Sequence, residues 1–407
     1  MSFQQGLSGL NASSQNLDVI GHNIANANTT GMKASRAEFA ELYASSLGTS
    51  GGISQGIGVE VQTVSQQFTQ GNISITGNAL DVAINGNGFF QVELPNGNLA
   101  YSRDGAFKLN KEGEIITNAG AHLLGITAAA DGSIPTGGAV GPLTLPTGGE
   151  IAAIQTTKMD LSFNLDAEAV IATGVAPAGL VPPLATYGTS ITAYDGQGVG
   201  VPVSIYFTKT AVNTWDVYSS VDGAAPTLTT TGLTFNGTGN TPNATIGTLT
   251  LPSPTNPAST FSVAMNVKDA TQYGAKFSIA KATQDGQAPG TLTAISIDES
   301  GVILGTYSNG KALAAGQIQL ATFTNVQGLA PIGGNVWLST PSSGDPSAKG
   351  VPGTGNLGGL RSGSLEDSNV DLTKELVNMM TAQRAYQANA QTIKTQDQVM
   401  STLVNLR

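Results

Sequence analysis

The sequence predicts a multidomain protein in which N- and C-terminal α-helices pair as a coiled coil and nested all-β domains lie between them. Large apolar residues recur every seven positions near both ends of the chain, which is typical of long amphipathic helices. The intervening sequence changes to the period-two alternation and turn signals of β-strands. With 407 residues, the chain has room for about two to four domains.

The C-terminal stretch, residues 368–407, contains the longer predicted helix. One heptad position carries Leu372, Met379, Tyr386, Ile393 and Met400, and Leu376, Ala382, Ala390, Leu403 and Val404 flank it. Ser368-Asn369-Val370-Asp371 resembles a capping box, so we expect the helix to begin there. A helix of about 36 residues would be roughly 54 Å long, which suits a coiled coil or bundle. On this pattern alone, a helix in the core of a single domain remains the alternative.

The first residues of the chain predict a partner helix over residues 2–27. Its apolar stripe consists of Phe3, Leu10, Leu17 and Ile24 at one heptad position, widened by Leu7, Ile20 and Ala27. Gly6, Gly9 and Gly21 each cost about 1 kcal/mol relative to alanine in a helix interior. Since such a helix is marginal by itself in water, we expect the two terminal helices to stabilise each other.

Short polar motifs follow the first helix and resemble those of a known family. We expect Gly31 to stop the helix, because glycine adopts the left-handed conformation easily. The residues Asn23, Asn26, Thr29, Gly31 and Lys33 match the N-terminal signature of the bacterial flagellar rod and hook family. Met32 departs from the aromatic residue usual there, and His22 stands where asparagine is common. Residues 368–389 resemble the C-terminal signature of the same family.

The first β-rich segment, residues 72–146, gives a third resemblance. Leu80, Val82 and Ile84 alternate with polar or small residues, and Phe90 and Val92 alternate before an Asn-Gly turn. Residues 79–90 and 101–107 are similar to the β-domain signature of that family. The sequence therefore predicts the first half of an inner β-domain here.

The rest of the chain predicts a nested layout. We interpret residues 1–33 as the N-terminal helix, 34–71 as a connector, 147–290 as an inserted outer β-domain, 291–363 as the second half of the inner β-domain and 364–407 as the C-terminal helix. In the connector, Phe39, Leu42 and Tyr43 suggest a short helical piece, followed by a Gly- and Ser-rich run at 47–58. In the insert, turns every eight to twelve residues indicate a sandwich or barrel, and Trp215 is expected in its core.

Composition excludes several function classes. Only 11% of the residues are charged, against about 25% in a typical soluble protein, and such surfaces suit close subunit packing. The net charge of −10 argues against nucleic acid and anionic membranes as partners. There is no cysteine, no run of about 18 apolar residues that could insert into a membrane, and no pattern of a cleaved secretory signal.

No constellation of residues predicts catalysis, a cofactor or a metal site. The two histidines, His22 and His122, share no motif. The adjacent acidic pairs Asp298-Glu299 and Glu366-Asp367 are interpreted as solvated charges in turns or caps. We therefore expect a protein that is not an enzyme and has no cofactor.

The resemblance implies a structural subunit of the hook, the curved tubular joint between the flagellar rod and filament. It further implies a helical homopolymer assembled by the terminal helices. The implied partners are rod proteins below, hook–filament junction proteins above, and the hook cap and flagellar type III export apparatus during assembly. The implied location is the extracellular hook, reached without a cleaved signal peptide. Two alternatives stay open, which are a distal rod subunit and a secreted β-domain enzyme such as a cell-wall hydrolase.

Overall fold

The structure, a computed structural model, describes residues 2–43, 56–129, 132–145, 150–172, 187–239, 245–254, 259–267 and 269–405. The chain divides into two compact units. The first, here called the helix-bearing unit, comprises Met1–Gly148, Thr293–Thr306 and Ala312–Arg407. The second, here called the inserted unit, comprises Gly149–Leu292 and Tyr307–Lys311.

Two long helices, α1 (Ser2–Ala25) and α2 (Leu372–Asn405), pack against each other in the described part of the helix-bearing unit. They run antiparallel, because Gly6 near the start of α1 faces Ile393 late in α2, whereas Asn23 near the end of α1 reaches Glu375 in the first turn of α2. Helix α1 ends two residues before the predicted Ala27, since the Asn26 side chain donates a hydrogen bond to the His22 carbonyl (2.9 Å).

The predicted capping box at Ser368 is wrong. Helix α2 begins at Leu372, and its N-cap is Asp371, whose carboxylate accepts hydrogen bonds from the N–H groups of Thr373 (2.9 Å) and Lys374 (3.1 Å). Residues 368–370 stay outside the helix because Asn369 is held elsewhere: its side chain donates to the carbonyls of Gln67 (2.7 Å) and Thr69 (3.1 Å).

The connector is a β-hairpin rather than a segment with a helical piece. Strands β1 (Ser35–Tyr43) and β2 (Gly56–Gln66) form an antiparallel two-stranded sheet that packs on α1. Phe39, Leu42 and Tyr43, which suggested a helix, therefore lie in β1. Pairing with a strand farther along the chain overrides the local pattern. Most of the Gly- and Ser-rich run at 47–58 lies outside the described residues, and its last three residues begin β2.

The first β-rich segment contributes short strands, some of which are buried on both faces. They are β3 (Ile73–Ile75), β4 (Val82–Asn85), β5 (Phe89–Glu93), β6 (Leu99–Ser102), β7 (Phe107–Leu109), β8 (Ile115–Thr117), β9 (His122–Thr127) and β10 (Val140–Pro142). Burial extends beyond the alternating positions: Phe89 and Gln91 are buried as well as Phe90 and Val92. This is the mark of strands at the centre of a unit.

The inserted unit contains longer, clearly alternating strands. They are β11 (Lys158–Asp166), β12 (Tyr187–Tyr194), β13 (Gly200–Ala211), β14 (Thr214–Val221), β15 (Thr227–Thr234), β16 (Thr245–Pro252), β17 (Thr260–Asn266), β18 (Thr271–Tyr273) and β19 (Ser278–Gln284). Among described residues, these strands form a five-stranded sheet and a four-stranded sheet. Both sheets contribute to one hydrophobic core, in which Trp215 is fully buried as predicted.

The remaining strands return to the helix-bearing unit. They are β20 (Leu292–Ile297), β21 (Val302–Tyr307), β22 (Ala312–Ile318), β23 (Leu320–Thr322), β24 (Ala330–Gly333), β25 (Val336–Leu338), β26 (Ala348–Gly350), β27 (Gly359–Ser362) and β28 (Ser364–Glu366), with a 3₁₀ turn at Val326–Gly328. In the described residues, a thirteen-stranded sheet has the central order β20-β21-β22-β9-β5-β6-β25-β24.

Strands from two distant chain segments thus lie side by side in one sheet, where β9, β5 and β6 stand between β22 and β25. Strands β27 and β28 add antiparallel pairs with β4 and β3. These pairings bring the start of α2 back to the segment that follows α1. The predicted fold class, terminal helices around β-domains, is confirmed.

Candidate functional site

Small and polar residues contribute to the seam between α1 and α2 alongside apolar ones. A Cβ atom added at Gly6 would lie 3.1 Å from Ile393 Cγ1, and one at Gly9 would lie 2.9 Å from Asn389 Nδ2. Asn389 also donates a hydrogen bond to Ser13 Oγ (3.4 Å). The two backbones therefore approach closely where α1 carries glycine.

The predicted heptad stripe contributes to this seam only in part, since Ile393 faces Gly6 whereas other stripe residues are exposed. The stripe residues fall into three groups. Exposed residues are Phe3 (49%), Leu7 (44%), Leu372 (42%), Leu376 (46%), Tyr386 (37%) and Met400 (55%). Partly buried residues are Leu10, Leu17, Ile24, Met379 and Ile393, and Ile20 is buried. Leu403 belongs to α2, and its side chain lies outside the described part of the structure.

More apolar residues are exposed on the helices than the heptad pattern identifies. Val377, Met380 and Val399 are also exposed on α2. Met380 follows Leu376 by four positions, so the helical period could have identified it. Although the helices are paired, several apolar side chains at different positions around them thus stay exposed, and this set of residues is here called the outer helix face. It comprises Phe3, Leu7, Leu372, Leu376, Val377, Met380, Tyr386, Val399 and Met400.

The motif residues after α1 anchor the helix to the chain that follows. Asn23 exchanges two hydrogen bonds with the backbone of Ser35: its Nδ2 donates to the carbonyl (2.7 Å) and its Oδ1 accepts from the N–H (2.8 Å). Asn26 caps the helix end, and Thr29 donates to the Asn26 carbonyl (2.8 Å). These bonds turn the backbone away from the helix axis.

Gly31 does not itself stop the helix, which ends at Ala25, but its conformation is required in the turn. Its φ of 68° lies in the left-handed region. An added Cβ would stand 2.6 Å from the backbone nitrogen of Asp104. Only glycine allows the post-helix turn to contact the β-sheet this closely.

Lys33 enters a buried cluster of three charges, here called the charge cluster. Its ammonium lies 2.5 Å from Glu366 Oε1, and Arg103 contacts the other carboxylate oxygen of Glu366 at 3.1 Å. The interpretation of Glu366 as a solvated charge is wrong, because Glu366 is only 2% exposed. Its burial depends on two cations that are distant in sequence, so the local acidic pair gave no sign of it.

Backbone groups complete the charge cluster. Lys33 donates to the Thr69 carbonyl (2.8 Å), and Glu366 accepts from the Gly71 N–H (2.9 Å). Arg103 donates to the Gly86 carbonyl (2.9 Å). Buried charges are tolerated when they are paired and hydrogen-bonded in this way.

Burial shifts the acid–base behaviour of the charge cluster. Desolvation lowers the pKa of Lys33, and the neighbouring Glu366 carboxylate opposes this. Desolvation also lowers the pKa of Arg103, again against the attraction of Glu366. Nearby, burial raises the pKa of Asp104, which accepts a hydrogen bond from the Thr30 hydroxyl (2.9 Å).

Four segments of the chain meet at this cluster. Lys33 follows α1, Thr69 and Gly71 follow the hairpin, Arg103 belongs to the β-sheet region and Glu366 precedes α2. Arg103 lies in the β-domain motif of residues 101–107, where the sequence predicts no role for its charge, and the acidic pair Glu366-Asp367 predicts Glu366 in solvent. The arrangement can hold both helix bases to the β-sheet, which is a mechanical rather than a chemical capability.

Other features of the described residues offer no chemistry of this kind. His22 lies exposed on α1, and His122 lies at the start of β9 beside Glu114. Within the ranges that the structure describes, no group of three or more His, Cys, Asp or Glu residues could hold a metal ion. None of the described helices is long and apolar enough to span a membrane.

Sequence profiles of known families match successive parts of the chain. The profile described as "Flagella basal body rod protein" matches residues 3–33, and "Flagellar basal body rod FlgEFG protein C-terminal" matches residues 361–406. Between them, "Flagellar hook protein FlgE/F/G D1 domain" matches residues 83–173, and "Flagellar basal body protein FlaE D2 domain" matches residues 164–287.

Full-length relatives decide the family. The chain is 42% identical over 421 residues to the flagellar hook protein FlgE of Salmonella typhimurium, with 100% of both chains covered. The chain belongs to the flagellar hook protein family. The hook protein FlgE of Escherichia coli is also 42% identical, over 417 residues, and that of Borreliella burgdorferi is 31% identical over 443 residues, which cover 100% of this chain and 99% of the relative.

A solved structure supports the fold of the family. The crystal structure of the Helicobacter pylori flagellar hook protein FlgE2 has a TM-score of 0.54 and 16% identity, covering 72% of this chain and 100% of that chain. Because the full-length relatives are hook proteins, the hook is favoured over the rod alternative. The family is structural, and membership implies homopolymer assembly in the flagellum.

Proposed function

We propose that this chain is the repeating subunit of the flagellar hook and that the outer helix face forms its main contacts with neighbouring copies. One observation carries the proposal: α1 and α2 already pair within the chain, yet Phe3, Leu7, Leu376 and Met380 remain between 44% and 52% exposed. A paired helix with no further partner would normally present a polar outer side.

Burying this face against other copies provides the driving force. Burying a fully exposed large apolar side chain contributes about 1.5–3 kcal/mol, and these half-exposed side chains would each contribute a part of that. The low content of charged residues, 11%, means that few charges must be desolvated on assembly. Head-to-tail contacts that do not close into a ring generate a helical polymer.

The charge cluster is proposed to transmit load from the helices to the β-sheet. It connects the bases of both helices to Arg103 through a single carboxylate, that of Glu366. Next to it, Asn335 donates to the Thr30 carbonyl (2.6 Å) and Trp337 donates to Gln66 (2.6 Å). Torque applied to the helices would reach the sheet through these bonds without a flexible linker.

The nested layout gives each part a proposed place in the polymer. The terminal helices would line a central export channel, the β-domain of residues 72–146 and 291–363 would form a surrounding shell, and the insert of residues 147–290 would lie outermost. Bending requires outer contacts that exchange between arrangements of similar energy. The insert is therefore proposed to tune curvature.

The proposed partners follow from this role. Below the hook we propose rod proteins, and above it the hook–filament junction proteins. During assembly we propose the hook cap and the flagellar type III export apparatus, which would pass the chain with its N-terminus retained. The weak α1, with glycines at positions 6, 9 and 21, is compatible with export in an unfolded state.

The test compares two exposed apolar residues. Leu376→Gln alters the outer helix face, whereas Val212→Gln alters an even more exposed apolar residue (74%) in the inserted unit. Purified variants are incubated under polymerising conditions, and pelleted protein is measured by sedimentation. We expect Leu376→Gln to lower the polymer yield strongly and Val212→Gln to leave it close to that of the unchanged protein. Equal yields from all three proteins would contradict the proposed surface.

A further inference from the structure

Asn389 occupies an unusual place in the middle of the helix seam. Its side-chain amide faces the backbone of Gly9, where an added Cβ would lie within 2.9–3.1 Å of all three terminal atoms of the asparagine. Its Nδ2 donates to Ser13 Oγ, and the Ser13 hydroxyl donates to the Gly9 carbonyl (2.8 Å). Gly9, Ser13 and Asn389 thus form a continuous polar contact between the two helices.

Neighbouring seam positions are apolar or small. One turn along α2 from Asn389, Ile393 faces Gly6, and two turns in the other direction Ala382 is buried. Gly6, Gly9 and Ala382 present little side-chain shape at these seam positions. Packing at these positions therefore gives little preference for one alignment of the helices over another.

A polar residue among apolar and small seam positions can make that selection. An asparagine at such a position specifies register and costs stability, because wrong registers leave its amide without a partner. In this chain the Asn389 amide donates to Ser13 and lies against Gly9, where any Cβ on α1 would crowd it.

We propose that Asn389, acting with Ser13 and Gly9, sets the register of α1 against α2. This inference deepens the proposed function, and its consequence for assembly depends on that function. A slip by one helical turn shifts one helix by about 5.4 Å. Such a slip would separate the exposed residues of α1 from those of α2, so the outer helix face would no longer match a neighbouring copy.

Because the chain has no cysteine, engineered cysteine pairs can report the register without background. Gly6→Cys with Ile393→Cys joins two positions that face each other in the structure. Phe3→Cys or Leu10→Cys with the same Ile393→Cys reports slips in the two directions along α1. Each pair is oxidised in the soluble full-length protein, and the crosslinked fraction is measured by mass spectrometry of the digested chain.

The three pairs are compared in four backgrounds: unchanged, Ser13→Ala, Asn389→Leu and the control Ser14→Ala. Ser14 is the adjacent serine and makes no hydrogen bond to α2 among the described residues. In the unchanged and Ser14→Ala proteins, the 6–393 crosslink should dominate. Ser13→Ala and Asn389→Leu should lower its ratio to the slipped crosslinks about three- to tenfold, which is the range that one lost hydrogen bond supports.

A merely structural role predicts a different pattern. If Asn389 only filled space, Asn389→Leu would lower or raise all three crosslinks together and leave their ratio unchanged. An unchanged ratio in both Ser13→Ala and Asn389→Leu overturns the inference, as does a dominant slipped crosslink in the unchanged protein. The proposed function is tested separately, by sedimentation of the same variants without the engineered cysteines. If the unchanged protein forms no polymer, the proposed function is refuted, and the crosslink ratio still tests the register.

Discussion

At the residue scale, Glu366 neutralises two buried cations and thereby joins the N-terminal segment, the β-sheet and the C-terminal segment. Removing one partner of a buried ion pair leaves an uncompensated charge and costs about 3–5 kcal/mol. We expect Glu366→Gln to reduce the free energy of unfolding of the helix-bearing unit by an amount in this range. The inserted unit should keep its stability.

The two tryptophans make this measurement specific. Trp337 lies in the helix-bearing unit and Trp215 in the core of the inserted unit. In a Trp215→Phe background, urea unfolding followed by tryptophan fluorescence therefore reports the helix-bearing unit alone. Glu38→Gln, which removes an exposed pair with Arg36, is the matched control and should leave the midpoint unchanged. Equal midpoints for Glu366→Gln and Glu38→Gln would show that the charge cluster contributes nothing.

Gly31 gives a second prediction at this scale. Alanine in the left-handed region costs about 1–2 kcal/mol, and at Gly31 the added Cβ also meets the Asp104 backbone. Gly77 has a similar φ of 77° with no atom within 4 Å of an added Cβ. We expect Gly31→Ala to lower the thermal midpoint clearly more than Gly77→Ala, as measured by circular dichroism. Comparable losses would mean that the close approach at Gly31 can relax.

At the element scale, the last turns of α2 allow contacts between subunits to be tested without disturbing the pairing of α1 with α2. Among described side chains, residues 397–402 are all exposed, so this part of α2 adds little to the seam with α1. It nevertheless carries exposed Val399 and Met400. Removing residues 397–407 should therefore leave the unfolding of the soluble subunit nearly unchanged and strongly lower polymer yield in a sedimentation assay.

The opposite result would assign these turns to the subunit itself. A truncated protein that unfolds at lower temperature but pellets normally would show that the end of α2 stabilises the chain and takes no part in assembly. Gln391→Asn, a conservative change at an exposed position earlier in α2, serves as a control for altering the helix.

The elements also show which features the sequence could predict. The helices, and strands such as β4 and β5, follow directly from local periodicity, because each pattern is complete within one segment. Strand β1 was missed because its partner lies beyond a Gly- and Ser-rich run. Glu366 was misassigned because its partners are 333 and 263 residues away in sequence. Contacts between distant segments leave no signal in a local pattern.

The heptad stripe predicts the seam of the helix pair only in part. It identified apolar residues on each helix but could not show which neighbour covers each of them. In the structure glycine, serine and asparagine share the seam with the stripe residue Ile393, whereas stripe residues such as Leu7 and Leu376 are exposed. The role of the stripe residues in assembly remains a prediction.

At the scale of the whole molecule, the inserted unit is separable. The chain enters and leaves it at neighbouring points, since the Ile151 N–H donates to the Gly290 carbonyl at 2.9 Å. Replacing residues 150–291 by a short Gly/Ser linker should therefore let the helix-bearing unit fold and polymerise. Differences of about 1–2 kcal/mol per contact can select one polymer shape among several, so we expect hooks of altered curvature and poor swimming.

Imaging of hooks from cells that secrete the deleted protein checks this prediction. Unchanged curvature with normal motility would refute a role of the inserted unit in shape. Loss of polymer from a secreted, folded subunit would show that the inserted unit is needed for assembly itself.

Electron cryo-microscopy of the polymer formed by the purified protein would show directly whether the outer helix face builds a hook polymer. We expect a tube in which α1 and α2 line the central channel, with Leu7, Leu376 and Met380 buried against neighbouring copies. Closed rings, amorphous aggregates, or a tube in which these side chains remain exposed to solvent would contradict it.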